Sequence, residues 1–184
     1  MTRRVQLLLL CEDSQHEAFA RRFLEKAGWT KRELRVVKAP RGRGSAARFI
    51  QQRFPVELKT YRRRRARMAC GLFVMVDGDR LGTAGRQREL DAACDAQGVP
   101  VLASGEHVAV FVPTWNIESW LAYLDGQDID EARSDYPRLT RAGDCQRHVD
   151  LLWEMCQRQS LRSPAPPSLV AACDTYRTRV PPRR

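Results

Sequence analysis

The chain has no Cys-x-x-Cys pair, only three histidines, and no apolar run long enough to cross a bilayer, which takes about 20 residues. The cysteine spacing excludes a zinc ribbon, and so few scattered histidines argue against a zinc site of any kind. No Gly-x-Ser-x-Gly elbow follows a candidate strand, so a Ser-His-Asp hydrolase has no support. No Gly-x-Gly-x-x-Gly is present, which removes dinucleotide binding. The glycine-rich loop Pro40–Ser45, PRGRGS, lacks the Gly-Lys-Ser/Thr ending of a Walker A loop, so the chain itself carries no recognisable ATP site. Internal repeats and long low-complexity tracts are also missing. The opening MTRRVQLLLLCEDS places basic residues before apolar ones but lacks a long secretory core and a cleavage site. It reads as a first strand, and the chain as cytoplasmic. The six cysteines, set in apolar or helical patterns, read as buried free thiols in a reducing compartment.

Acids are the other shortage. Lys and Arg number 32 against 22 Asp and Glu, for a net charge of +10 and a pI of about 9.9. The imbalance is local: between Arg41 and Arg67 ten Lys/Arg face a single acid, Glu57. Such a balance favours polyanionic partners, nucleic acid first. At 184 residues and 43% hydrophobic, the chain can build one proper core.

Within that composition, a pattern of strand then helix repeats four times. The strands are Val5–Cys11, Leu34–Ala39, Leu72–Val76 and Val108–Val112, the last ended by Pro113. Apolar runs of this kind suit a parallel sheet buried on both faces. The helices are Ser14–Ala27, Ala46–Phe54 (stopped before Pro55), Gly85–Gln97 after a turn at Gly82–Gly85, and Asn116–Leu124. Leu58–Arg67 is a basic connector, helical or disordered. After Asp125 the pattern changes to a helix over Gly143–Gln159, a proline-rich break at Ser163–Pro167, a short helix over Ser168–Arg177 and a fraying tail from Val180. The expectation is an α/β fold, three-layered and mostly parallel, over residues 1–125, with a small helical C-terminal extension over 126–184 packed on it.

Three acids then share one edge of the sheet. Leu72–Asp79, LFVMVDGD, ends a strand in Asp77 and Asp79, and Leu7–Glu12, LLLLCE, ends another in Glu12. With strand order 2-1-3-4, strands 1 and 3 are neighbours at the topological switch point, about 5 Å apart. Crowded carboxylates are costly unless a cation sits among them, so Mg²⁺ or Mn²⁺ is expected there. Gly78 is expected to let the backbone turn sharply between the two aspartates. The bland alternative is that Asp-Gly-Asp is a turn and Glu12 a residue at a helix start. Asp13 reads as a helix cap, and His16 as a surface or near-site residue.

The basic residues fall in two groups. Arg41 and Arg43, beside Gly42 and Gly44, lie on a loop that should emerge at the same edge as the acids, with Ser45 at a helix start that could hold a phosphate. Arg62, Arg63, Arg64 and Arg65 surround a helix and cannot all pack, so contact with a phosphate backbone is the expected role, against a solvated connector or a dock for an acidic protein. Tyr61 is a weak candidate for stacking on a base. The helix Gln87–Ala96 is mixed in charge and needs no functional role. Trp120 and Leu121 read as core, and Asn116 as a cap.

The segments CEDSQHEAFARRFL, VMVDGD and VPTWNIESWLAYL resemble the TOPRIM fold, and within it small stand-alone proteins akin to OLD-family nucleases. The resemblance covers about residues 5–125. It implies a metal-dependent nuclease whose site is Glu12, Asp77 and Asp79, joined by Glu118 of the Asn-Ile-Glu-x-Trp-Leu segment. It also implies a separate ATPase partner of the ABC or SMC type and a role in bacterial antiviral defence. The chain departs from that pattern at Asp13, where glycine is usual, and at His16, where OLD-like members often carry an acid. Those departures favour the alternative of a catalytically silent module that binds nucleic acid or regulates an ATPase.

Overall fold

The computed structural model describes residues 6–42 and 44–180. Four strands, β1 (Leu7–Cys11), β2 (Leu34–Lys38), β3 (Gly71–Met75) and β4 (Val108–Phe111), form one parallel sheet in the order β2-β1-β3-β4. Leu9 lies level with Val36 on one side and Phe73 on the other, so the strands end together at Cys11, Lys38, Met75 and Phe111.

Alternation along each strand feeds two cores. Leu7, Leu9, Phe73, Met75 and Phe111 point to one face, where they meet the helices α1 (Ser14–Lys26), α4 (Ile117–Leu124), α5 (Gln146–Arg158) and α6 (Pro167–Arg179). Leu8, Leu10, Leu72, Val74 and Val108 point to the other, against α2 (Ala46–Arg65) and α3 (Gly82–Ala96). The protein is therefore an α/β fold of three layers. Residues beyond 125 build no core of their own. Val149, Leu152, Leu169 and Tyr176 join the same cluster as Phe23 and Phe111, and Trp120 donates from Nε1 to Ser168 Oγ at 2.8 Å.

Several expectations need correction. Pro55 does not stop the second helix, which runs unbroken to Arg65 and absorbs the expected connector. Proline forfeits one backbone hydrogen bond. The buried stripe Ala47, Ile50, Phe54, Leu58 and Tyr61 continues across it at helical spacing, and its burial outweighs that loss. The expected turn at Gly82–Gly85 is the first turn of α3. The expected Gly143–Gln159 helix is a short 3₁₀ turn, Ala142–Cys145, followed by α5. Val180 is buried at the end of α6 rather than frayed, while Val5 and the last four residues lie outside the described range.

The cysteines need correction too. Cys11, Cys70, Cys94 and Cys145 are buried free thiols, but Cys156 of α5 and Cys173 of α6 form a disulfide. The two helices pack side by side in one core, which brings their Cα atoms to 5.3 Å, within bridging range. The bridge closes a loop with a sequence separation of 17. Replacing both cysteines by alanine should lower the unfolding free energy by about 3 kcal/mol in oxidising buffer. Dithiothreitol should bring the wild type down towards the variant and leave the variant unchanged in a denaturant titration.

Candidate functional site

Level strand ends deliver the acids. Glu12 follows β1 directly, and Asp77 follows β3 by two residues. The Asp77 N–H donates to Glu12 Oε1 at 2.8 Å, which joins the two strand ends. A 3₁₀ turn, Asp79–Leu81, then carries Asp79 with a left-handed backbone, φ 49°, a conformation aspartate tolerates better than most residues. Glu118, in the first turn of α4, is buried close enough to Asp77 and His16 to feel their charge.

The role expected of Gly78 is corrected. Its φ of −75° is ordinary, so it supplies no unusual turn. Its value is close approach. A Cβ there would fall well inside contact distance of the Thr114 carbonyl oxygen, 2.8 Å from the Pro113 oxygen and 2.9 Å from the Gly82 carbonyl carbon. The Gly78 N–H donates to Pro113 O at 2.9 Å, and the Asp79 N–H to Trp115 O at 2.9 Å. The loop that carries the aspartates is thus clipped to the turn after β4.

Two cations already attend the carboxylates. His16, with a side chain only 1% exposed, places Nε2 at 3.0 Å from Asp77 Oδ1. Of the two readings, surface or near-site, the structure gives the second, with the imidazole buried against Asp77. Asp13 caps α1 by accepting from the His16 N–H at 2.9 Å, and that cap sets the first turn from which the imidazole reaches inward. Arg86 of α3 is 4% exposed; its Nε donates to Asp77 O at 2.8 Å, an outer nitrogen lies 2.8 Å from Asp79 Oδ2, and the other pairs with Glu89. Glu118 Oε1 is 3.3 Å from the exposed guanidinium of Arg138. Asn116 makes no side-chain cap; its amide donates to Ser134 O at 3.2 Å and tethers the segment that carries Arg138.

The electrostatics follow from this crowding. Burial pushes the Glu12 carboxyl up to about 7; His16 opposes that, and Asp77 and Asp79 reinforce it. Burial raises Asp79 as well, helped by Asp77 and opposed by Arg86. Glu118 is raised by burial and by Asp77, against a backbone hydrogen bond and Arg138. Burial disfavours the charged form of His16, but Asp77 outweighs it through charge and hydrogen bond and lifts the imidazole to about 9.

Beside Glu12 opens a cleft of about 340 Å³, lined also by Ser14, Lys38, Arg41, Gly44 and Ala46. The glycine-arginine loop therefore does share an edge with the acids. Arg41 reaches Ser14 Oγ at 3.4 Å, and Lys38 bridges Ser14 Oγ and Glu17. Ser45 caps α2, accepting from the Arg48 N–H at 3.4 Å. Arg43 lies outside the described residues.

The other arginines are not brought to this edge. As a single helix, α2 carries Arg62, Arg63, Arg64 and Arg65 to the opposite end of the sheet, about 30 Å along its axis. Arg62 grips the buried Glu106 with two hydrogen bonds of 2.8 Å and also donates to Pro100 O and Val101 O. Arg65 lies 3.2 Å from the same carboxylate and over the Tyr61 ring. Tyr61 is buried and its hydroxyl accepts the His107 N–H at 2.7 Å, so it has no face to offer a base. Arg62 is thus a structural residue, and Arg63 is exposed.

Lys38, Arg86 and Arg138 join His16 as cations at the site without a signal in the sequence that marks them. Arg86 lies within α3, a helix of mixed charge, and Arg138 sits in an irregular stretch without periodic signal, so neither carries a local mark. Among the described residues, no group of three His, Cys, Asp or Glu side chains is gathered closely enough to cage a metal ion. No described helix is long and apolar enough to cross a membrane. In comparison with known proteins, the chain matches no family model, no curated protein and no solved structure.

Proposed function

We propose that the protein is a divalent-metal-dependent nuclease, hydrolysing phosphodiester bonds at the edge formed by Glu12, Asp77, Asp79 and Glu118. The observation that carries this is the hydrogen bond that joins Asp77 to Glu12 at the β1–β3 switch point, with Asp79 nearby, where burial, reinforced by Asp77 and Asp79, lifts Glu12 to about 7. The donor chemistry fits a hard cation: Glu12, Asp77 and Asp79 offer only carboxylate oxygens. Bound there, Mg²⁺ or Mn²⁺ would polarise the scissile phosphate and lower the pKa of water. Asp77 and Asp79 would hold it, releasing His16 and Arg86 from their present pairs. Glu12 would add its free Oε2 or, with a pKa near 7, take the proton of the attacking water there. Arg41, with Arg43, would receive the phosphates on the adjoining loop. The TOPRIM-like segments add a separate ATPase partner and antiviral defence to the proposal.

One observation favours a second reading, a catalytically silent nucleic-acid-binding or ATPase-regulating module. Asp77 and Asp79 are already neutralised by protein cations, and the described residues form no ready metal cage. Incubating wild type and Asp77→Ala/Asp79→Ala with plasmid DNA, single-stranded DNA and bulk RNA in Mg²⁺, Mn²⁺ or EDTA decides between them. Cleavage by wild type alone and only with metal is the expected result. No cleavage in any lane would leave the silent module as the better account of the isolated chain.

A further inference from the structure

The solvent face of α2 has an unusual composition. Five of the six exposed positions, Arg48, Gln52, Val56, Lys59 and Arg63, are spaced by three or four residues and form one stripe directly opposite the buried one, while the sixth, Arg65, lies off it. Three of the five are cations and none is an acid. The helix's one acid, Glu57, is 3% exposed and neutralised by Arg53. Among the described residues, the side chains of Arg48, Lys59 and Arg63 make no hydrogen bond or ion pair. The structural arginines Arg62 and Arg65 instead share Glu106. The stripe begins in the first turn of α2, beside the cleft that Glu12 and Arg41 line, and ends at the far edge of the sheet. From Arg48 to Arg63 it covers about 22 Å of helix axis.

We infer that this face is a rail for a nucleic-acid backbone. It would deliver a strand to the acidic edge through Arg48, Lys59 and Arg63 rather than through the whole arginine run. The inference rests on the nuclease reading for its destination, but not for its binding chemistry. Consecutive phosphates lie further apart along a backbone than the roughly 3.4 Å rise per phosphate along the duplex axis, so about 22 Å of helix faces only a few phosphates, on the order of one for each of the three cations. Three flexible cations at this spacing suit a repeating anion and make no base-specific demand. A strand held only by such contacts binds with strong salt dependence, because each neutralised phosphate releases counterions. An acidic polypeptide would satisfy the charge but offers no regular phosphate spacing.

The test uses a short fluorescein-labelled DNA duplex and an RNA strand of equal length, titrated in EDTA so that binding is read without cleavage. Lys59→Ala/Arg63→Ala is compared with Arg147→Ala/Arg158→Ala, which removes the same charge from exposed positions on α5. All these side chains are exposed, and equal thermal midpoints confirm that the variants are folded. The expected result is an affinity loss of about tenfold for the α2 pair, with the slope of log K against log salt reduced by roughly 0.9 for each lost contact. The α5 pair should bind as wild type. Whichever labelled strand binds tighter identifies the nucleic acid. Equal weakening by both pairs, or none by the α2 pair, would overturn the rail. So would displacement of the labelled strand by polyglutamate at matched charge. The nuclease reading is untouched by these outcomes, since it stands on the Asp77/Asp79 cleavage comparison.

Discussion

Glu12→Gln is expected to make the protein more stable above pH 7 and, if the chain is the nuclease proposed above, to remove nearly all of its cleavage. The carboxyl rises from 4.5 to about 7 on folding, so between those values the folded chain holds a proton that the unfolded chain has released. Stability therefore falls as pH rises through that window, by about 3 kcal/mol at its upper end. Glutamine carries no charge to bury, and its side-chain oxygen can still accept the Asp77 N–H. His16 contributes in the same direction. Its folded pKa of about 9 exceeds the ordinary 6.5, so its stabilisation is full below 6.5 and lost as pH rises through 9. The wild type should thus unfold at progressively lower temperature from pH 5 to pH 9, while Glu12→Gln retains only the histidine part of that decline. Mn²⁺ should restore stability to the wild type far more at pH 8 than at pH 5. Hydrolysis should fall by roughly a hundredfold or more in the variant, whether Glu12 acts as ligand or as base. Thermal melts across pH, paired with a cleavage assay, check both halves. A variant less stable than wild type at pH 8 would contradict the electrostatic account.

Gly78→Ala should be among the most damaging single substitutions in the chain. The added Cβ meets three backbone atoms, those of Thr114, Pro113 and Gly82, and no side-chain rotation can relieve it. Separating the loop from the turn after β4 would also break the hydrogen bonds to Pro113 O and Trp115 O. A loss of roughly 3–4 kcal/mol or more is expected, comparable with the worst core and strain lesions. Because Asp77 and Asp79 flank the clip, any folded fraction should also lose the proposed metal binding. Denaturant unfolding gives the magnitude. Gly42→Ala provides a contrast: its Cβ meets nothing within 4 Å, so its cost is limited to the φ of 70°.

The parallel sheet and its acidic edge were legible because short apolar runs bounded by acids or proline state both burial and strand ends. Glu12 and Asp77 needed only the strand order to be brought together. What the pattern hid were pairings between distant residues. Arg62 looked free because its partner, Glu106, lies 44 positions away. Sequence left His16 between a surface and a near-site place because Asp77, which makes its burial tolerable, is 61 positions away. Pro55 looked like a stop because local propensity speaks before packing; only the shared face of Ile50, Phe54 and Leu58 shows why the helix continues. That continuation displaces the arginine run to the far edge of the sheet, and with it the expected phosphate contacts.

The most direct measurement is calorimetric titration of Mn²⁺ into wild type and Asp77→Ala/Asp79→Ala at pH 8, where Glu12 is ionised. Saturable binding by the wild type, lost in the double variant, is the result the account predicts. Equal heats from both proteins, or none from either, would contradict a metal centre at the ends of β1 and β3.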